Sequence, residues 1–253
     1  MSRHPFLIGV LWGLLSCAVI FPLSLYFNYK PKVPAKTTTE LIKAQDTEEK
    51  ERKIPVPQFN CDELGGQDNC TAFYSLDTAI EAEPAMYFMV WVMSAKQQGV
   101  KNVVIQIASP GGEMVWGYRM IRVLENVGIN SYCVADFQAA SMAFALLQSC
   151  THRLMTRRTF IMTHEPQYTS IKIDLPNANE LDNNKDKIKA YVDAYNLNAI
   201  RRMKITIEEY KAKVANGRQW FMDWNQAIKY GVVDGIVPSV WDVTRALQEG
   251  RSL

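Results

Sequence analysis

The run Val103-Val104-Ile105-Gln106-Ile107 gives way to Ser109-Pro110-Gly111-Gly112, and this junction constrains the fold more than any other stretch of the chain. A short, nearly continuous apolar run is the pattern of a strand buried on both faces. Proline ends it, and two successive glycines permit a turn that bares backbone N–H groups which a side chain would otherwise shield. Amides bared in this way can hold a negative oxygen. Further along stands Ser141, within Ala139-Ala140-Ser141-Met142-Ala143. Small neighbours let a polypeptide approach its hydroxyl. Phe144-Ala145-Leu146-Leu147 reads as the apolar face of a helix beginning near the serine, where the helix dipole favours developing negative charge. A third segment, Phe160-Ile161-Met162-Thr163-His164-Glu165-Pro166, reads as an apolar strand that delivers a histidine just before a proline-ended turn.

Around these segments helix and strand patterns alternate. Pro84 to Gln98 predicts an apolar, Met-rich helix, Asn102 to Ile107 a strand, and Met114 to Val127 a helix with Val115, Tyr118, Ile121 and Leu124 at helical spacing. Asn130 to Val134 predicts a strand, followed by the helix from Ser141, a short strand near Arg153 to Thr156 and the histidine-bearing strand. This order implies parallel βαβ units, with chemistry where strands give way to helices. Glu180 to Met203 reads as a long helix that interrupts the alternation. Thr206 with Glu209, and Asp223 with Gln226, read as capping boxes, Trp220-Phe221-Met222 as a strand, and the last of these helices ends at Gly231.

A chain of 253 residues, 48% hydrophobic and 21% charged, can bury one substantial core plus appendages. Its net charge of +2 comes with no basic stripe of the kind a phosphate backbone demands, which argues against nucleic-acid binding. Phe6 to Phe27 carries no charge and is long enough to cross a hydrocarbon core. The expected organisation is a membrane anchor over 1–29, a polar linker over 30–59 and a folded domain over 60–253. A cleaved signal peptide and lipidation at Cys17 compete with the anchor, but the stretch is long for a signal core, lacks an A-x-A site and continues past Cys17. Arg3 on one side and Lys30, Lys32 and Lys36 on the other do not orient it. Cys61 and Cys70 bracket a polar loop, and Cys133 and Cys150 flank the Ser141 segment. Four cysteines allow two bridges in an oxidising compartment, which favours an extracytoplasmic domain; alternatively, Cys133 and Cys150 are buried thiols.

The S-P-G-G loop, the A-A-S-M-A segment and the M-x-H-x-P histidine, in this order, resemble ClpP, the proteolytic subunit of the Clp protease; the resemblance spans Lys101 to Val237. It implies an α/β fold of repeated βαβ units, ClpP/crotonase-like, with a protruding helix, here preceded by a transmembrane helix. It also implies a serine peptidase that forms an acyl-enzyme on Ser141 with His164 as base, the amides of Gly112 and Met142 as oxyanion hole, a homo-oligomer, peptide or unfolded protein as substrate, and no cofactor or metal. His164 is also the best base by elimination: His4 lies beside the anchor, and His152 has Arg153, Arg157 and Arg158 nearby, which disfavour its protonated form.

The third member of a triad is the weak point. Aligned on Phe221 and Tyr230-Gly231, the acid position of the family falls on Gln219. Three readings stay open: Gln219 as a neutral orienter, Asp223 or Glu165 supplying charge from another position, or a degenerate site kept as a scaffold or binding protein. A serine–lysine dyad would need Lys185, Lys187 or Lys189 to reach Ser141, and these lie on a charged helical face. Acyl-CoA chemistry also uses paired amides but has no need of the serine and histidine. Phe73 to Ala85 departs from the family pattern, so neither a heptamer nor an ATPase partner carries over.

Overall fold

The buried run around Ile105 forms β2 (Asn102–Ser109), and its side chains alternate between two cores as a pleated strand requires. Val103, Ile105 and Ile107 enter the main core on one face, while Val104 enters a smaller one on the other. The computed structural model describes residues 54–166 and 178–253, which belong to one compact unit, Lys53–Leu253. The apolar stretch Phe6–Phe27, His4 and most of the polar linker lie outside the described residues. Among the described residues no helix is long and apolar enough to cross a membrane.

A short helix, α1 (Gly66–Asn69), leads into β1 (Thr71–Leu76), which pairs in parallel with β2. The start of the stretch Phe73 to Ala85 therefore lies in the sheet's first strand. Next come α2 (Ala82–Gln97), α3 (Met114–Asn126) and β3 (Asn130–Ala140), which pairs in parallel with β2. Pro84 falls in the first turn of α2, where its missing N–H costs nothing. The sequence pattern ends β3 at Val134, but the strand runs on to Ala140 and changes partner on the way. Residues 132–135 pair with β4 (His152–Thr156), and residues 138–140 pair with β5 (Phe160–Thr163), both in parallel. At the handover the Asp136 carboxylate accepts hydrogen bonds from Gln106 Nε2 at 2.8 Å and Thr156 Oγ1 at 3.1 Å. Each carboxylate oxygen of Asp136 thus has a donor from a neighbouring strand.

Helix α4 (Met142–Gln148) begins directly after Ser141 and is buried along its whole length. Helices α5 (Ala178–Ile200) and α6 (Ile207–Val214) follow β5, and then β6 (Trp220–Met222) returns antiparallel to β5, adding an antiparallel strand to the parallel units. Both predicted capping boxes form, Thr206 with Glu209 on α6 and Asp223 with Gln226 on α7 (Trp224–Lys229). Strand β7 (Gly235–Val237) adds in parallel beside β4, giving the order β1-β2-β3-β4-β7 with β5 and β6 branching from β3. On the second face, α8 (Val240–Gln248) lays Val240, Val243 and Leu247 against Val104, Val134 and Leu154. Each such apolar side chain contributes roughly 1.5–3 kcal/mol of burial before ordering entropy is subtracted.

Two disulfides close the described unit, Cys61–Cys70 and Cys133–Cys150. The second joins the middle of β3 to the end of α4, so that the segment carrying Ser141 is a closed loop. A polar clamp stands behind it. Arg153, 4% exposed, donates to both Asp234 carboxylate oxygens, to Gln148 Oε1 and to the Gly231 carbonyl, and Arg202 reaches Asp234 from α5's end. Partial burial alone would raise the Asp234 carboxyl. The hydrogen bonds and charge of Arg153, with the charge of Arg202, outweigh that and hold it below the usual carboxylate range.

Because the folded form of Asp234 is the more acidic, its contribution is complete above the unfolded value of about 3.9 and is lost as pH falls through the folded value. Asp234→Asn is expected to lower unfolding free energy by about 2–3 kcal/mol at pH 7, less than for a fully buried pair because Asp234 is part-exposed. The deficit should shrink as both proteins are acidified below about pH 4, read from denaturant melts across pH. Replacing Cys133 and Cys150 together by alanine should cost about 3 kcal/mol in the same assay, the loop-closure value for their spacing.

Candidate active site

The site assembles at the point where β3 ends and β5 runs beside it. Ala140 pairs with Met162, and the Ser141 N–H donates to the Met162 carbonyl at 2.8 Å. Ser141 then turns sharply, with φ 54° and ψ −119°, before α4 begins. A non-glycine residue at positive φ costs of order 1–3 kcal/mol and persists only where its surroundings enforce it. Here both flanks are fixed, by the β3–β5 pairing before the turn and by the fully buried α4 after it. The turn projects the hydroxyl out of the end of the sheet.

His164 follows the last residue of β5, and its Nε2 lies 2.9 Å from Ser141 Oγ. Its Nδ1 lies 2.6 Å from the carbonyl oxygen of Glu165. A carbonyl only accepts, so Nδ1 carries the proton and donates it, leaving the Nε2 lone pair facing the serine hydroxyl. That is the tautomer a general base needs.

The glycine turn packs against the same point. A Cβ on Gly111 (φ 91°) would lie 2.5 Å from the Ala140 carbonyl and 2.7 Å from Met142 N. One on Gly112 (φ 153°) would lie 2.3 Å from the Ile80 carbonyl. Gly111 is itself tied down, its N–H donating to Ser109 Oγ at 3.2 Å and its carbonyl accepting from Ile80 N at 2.8 Å. Among the described residues, the N–H groups of Gly112 and Met142 have no acceptor. Both residues line a cavity of about 220 Å³ together with Met114, Ser141, His164, Pro166 and Tyr195. Two unfilled donors, a hydroxyl and a correctly protonated imidazole around one small cavity can carry acyl transfer: attack, charge development on oxygen, and proton return.

The structure brings together Ser141, His164, Gly112 and Met142. It does not bring Gln219 to the imidazole. Gln219 is exposed just before β6, where the pairing of Thr163 with Trp220 puts it across from His164, yet it makes no hydrogen bond to the ring. Asp223 spends its carboxylate on the α7 cap, accepting from Gln226 N at 2.8 Å. Of Glu165 it is the main-chain carbonyl that meets His164. Lys185, Lys187 and Lys189 are exposed on α5, and Lys189 donates to Asp193. His152 stacks on Tyr132, its ring 4.2 Å away. Two partners had no sequence signal: the Glu165 carbonyl, since every residue has one, and Tyr195, whose hydroxyl donates to the Ser141 carbonyl at 3.1 Å from a helix far along the chain.

The Clp protease family model matches residues 75–240. The ATP-dependent Clp protease proteolytic subunit of Carsonella ruddii (strain PV) is 27% identical over 177 residues, which cover 66% of this chain and 84% of that protein. The ATP-dependent Clp protease proteolytic subunit 2 of Bacillus licheniformis is 28% identical over 147 residues, covering 54% of this chain and 70% of that protein. Gly111→Ala should remove any activity of the cavity by at least ~10²-fold, the loss typical of one oxyanion donor, because the added carbon lands on Met142 N. A peptide-hydrolysis assay beside a thermal melt checks this, and unchanged hydrolysis would mean that the amide has no part.

Proposed function

We propose, from the premise that this chain belongs to the Clp protease family and that membership implies a serine endopeptidase, that it cleaves peptide bonds through an acyl-enzyme on Ser141. The observation that carries this reading is the 2.9 Å contact of Ser141 Oγ with an imidazole whose other nitrogen is committed to a carbonyl. As Oγ attacks the scissile carbon, its proton passes to His164 Nε2. The new oxyanion lies against the Gly112 and Met142 amides. The imidazolium then gives its proton to the leaving amine, and water repeats the sequence in reverse roles to free Ser141.

The orienting group in this reading is the Glu165 carbonyl, not Gln219. A carbonyl holds the ring in the useful tautomer as a carboxylate does, but its partial charge stabilises imidazolium less. The site is therefore a dyad with a main-chain orienter, slower than one with a carboxylate yet spared the ~10⁴-fold loss that follows when the wrong tautomer is enforced.

The wider reading places the domain outside the cytoplasmic membrane, anchored through Phe6–Phe27. The two disulfides support an oxidising compartment, since such bridges are rare where thiols are kept reduced. In a compartment without ATP an energy-driven unfoldase is no direct partner, and the substrates are short peptides or unfolded segments. Self-association into a homo-oligomer belongs to the same reading. A topology reporter fused after Leu253 tests the orientation.

With a fluorogenic peptide as substrate, Ser141→Ala and His164→Ala should each lose hydrolysis by about 10³-fold or more. Gln219→Ala should stay within about twofold of wild type, as an exposed side chain with no partner among the described residues does. A Gln219→Ala variant as slow as His164→Ala would return the orienting role to Gln219.

A further inference from the structure

The Ser141–Met142 peptide bears one of the two amides of the proposed oxyanion site, and its orientation is not set by helix geometry. Ser141 lies outside helical φ/ψ, and the one helical bond to its carbonyl, from Ala145 N, is long at 3.3 Å. Among the described residues, the other bond to that carbonyl comes from a side chain, the Tyr195 hydroxyl of α5. A trans peptide is planar, with its C=O and N–H pointing in opposite directions. Whatever grips the carbonyl on one side therefore aims the Met142 N–H to the other.

The grip is built, not incidental. Tyr195 is 2% exposed, and its oxygen lies 3.1 Å from Thr163 Oγ1, which in turn lies 2.6 Å from the Tyr210 hydroxyl of α6. The proton directions follow from the far end. The Ser141 carbonyl can only accept, so Tyr195 donates to it, Thr163 donates to Tyr195, and Tyr210 donates to Thr163. Each hydroxyl proton has one acceptor, in a chain that starts beside the base-bearing residue pair Thr163-His164 and ends on the nucleophile's own carbonyl. Burial pushes the Tyr195 phenol well above its ordinary value and Tyr210 up to about 12, so both remain donors throughout the neutral range. The opposite wall is gripped by main chain instead, the Gly111 carbonyl accepting from Ile80 N at 2.8 Å, which aims the Gly112 N–H by the same planarity.

We propose that Tyr195 is a positioning residue for the oxyanion site: by holding the Ser141 carbonyl it keeps the Met142 N–H turned into the cavity. The proposal rests on the peptidase reading and deepens it. Tyr195 touches no reacting atom. Its effect falls on the step in which charge develops on oxygen, and so on kcat rather than on substrate affinity.

Ser141–Met142 is the sole Ser-Met dipeptide in the chain. Full-length protein grown on [1-13C]serine and [15N]methionine therefore gives a single correlated carbonyl–amide signal from that peptide. In Tyr195→Phe, which keeps the ring and removes the hydroxyl, this signal should move, kcat for a fluorogenic peptide should fall about tenfold to hundredfold, and KM should hold. Tyr87→Phe, on α2, should change none of the three. An unmoved signal overturns the proposal, as does a moved signal with kcat within twofold of wild type. A kcat loss matched by an equal rise in KM also overturns it, because that is the mark of a reshaped binding pocket. A folded wild type that cleaves no peptide and takes no phosphonate at Ser141 refutes the peptidase reading itself, and the proposal with it.

Discussion

The pairing of Ala140 with Met162 governs all else at this site. It sets Ser141 one residue past the end of β3 and His164 two residues past its partner on β5, so the hydroxyl and the imidazole meet beyond the same end of these two strands. Side chains alternate along a strand, so a slip of one residue would carry the ring to the opposite face. The fold fixes the pairing redundantly. The Ser141 N–H bonds to the Met162 carbonyl, β6 braces β5 from its other edge, and the Cys133–Cys150 bridge closes the loop that carries the serine. The strained backbone at Ser141 is affordable because these contacts leave the chain no alternative path.

A second theme is the reliance on main chain where a side-chain acid would be expected. The imidazole Nδ1 meets a peptide carbonyl, the Gly111–Gly112 peptide of the proposed oxyanion site is held through its carbonyl by the Ile80 N–H, and the donors assigned to that site are themselves peptide groups. Peptide dipoles need no titration and tolerate most changes of side chain, but they offer partial charge only. In the proposed mechanism this trades some stabilisation of imidazolium for an arrangement that does not depend on a further ionised residue. The one side chain drawn into this role, Tyr195, is also one whose burial keeps it protonated.

The parts of the site that could be read from sequence are those made by local backbone events. The S-P-G-G turn, the serine at a strand-to-helix junction and the histidine before proline each need particular residues in particular order, and the structure brings all three together. The capping boxes at Thr206 and Asp223 were legible for the same reason. Strand β1 was not, since Thr71 to Leu76 mixes polar and aromatic residues and becomes a strand only by pairing with β2. The far half of β3 was hidden by Asp136, whose partners Gln106 and Thr156 come from two other strands. Both disulfides were open possibilities whose pairing only proximity decides. The Glu165 carbonyl and the Tyr195 hydroxyl leave no pattern at all, because what makes them matter is where distant segments meet.

The measurement that bears most directly on the whole account is covalent capture of the serine. Intact wild-type protein treated with a fluorophosphonate and digested for tandem mass spectrometry should carry the adduct on Ser141, with His164→Ala reacting at least ~10²-fold more slowly because its serine keeps its proton. A folded wild type without adduct, an adduct on another residue, or equal rates with and without the imidazole would contradict it.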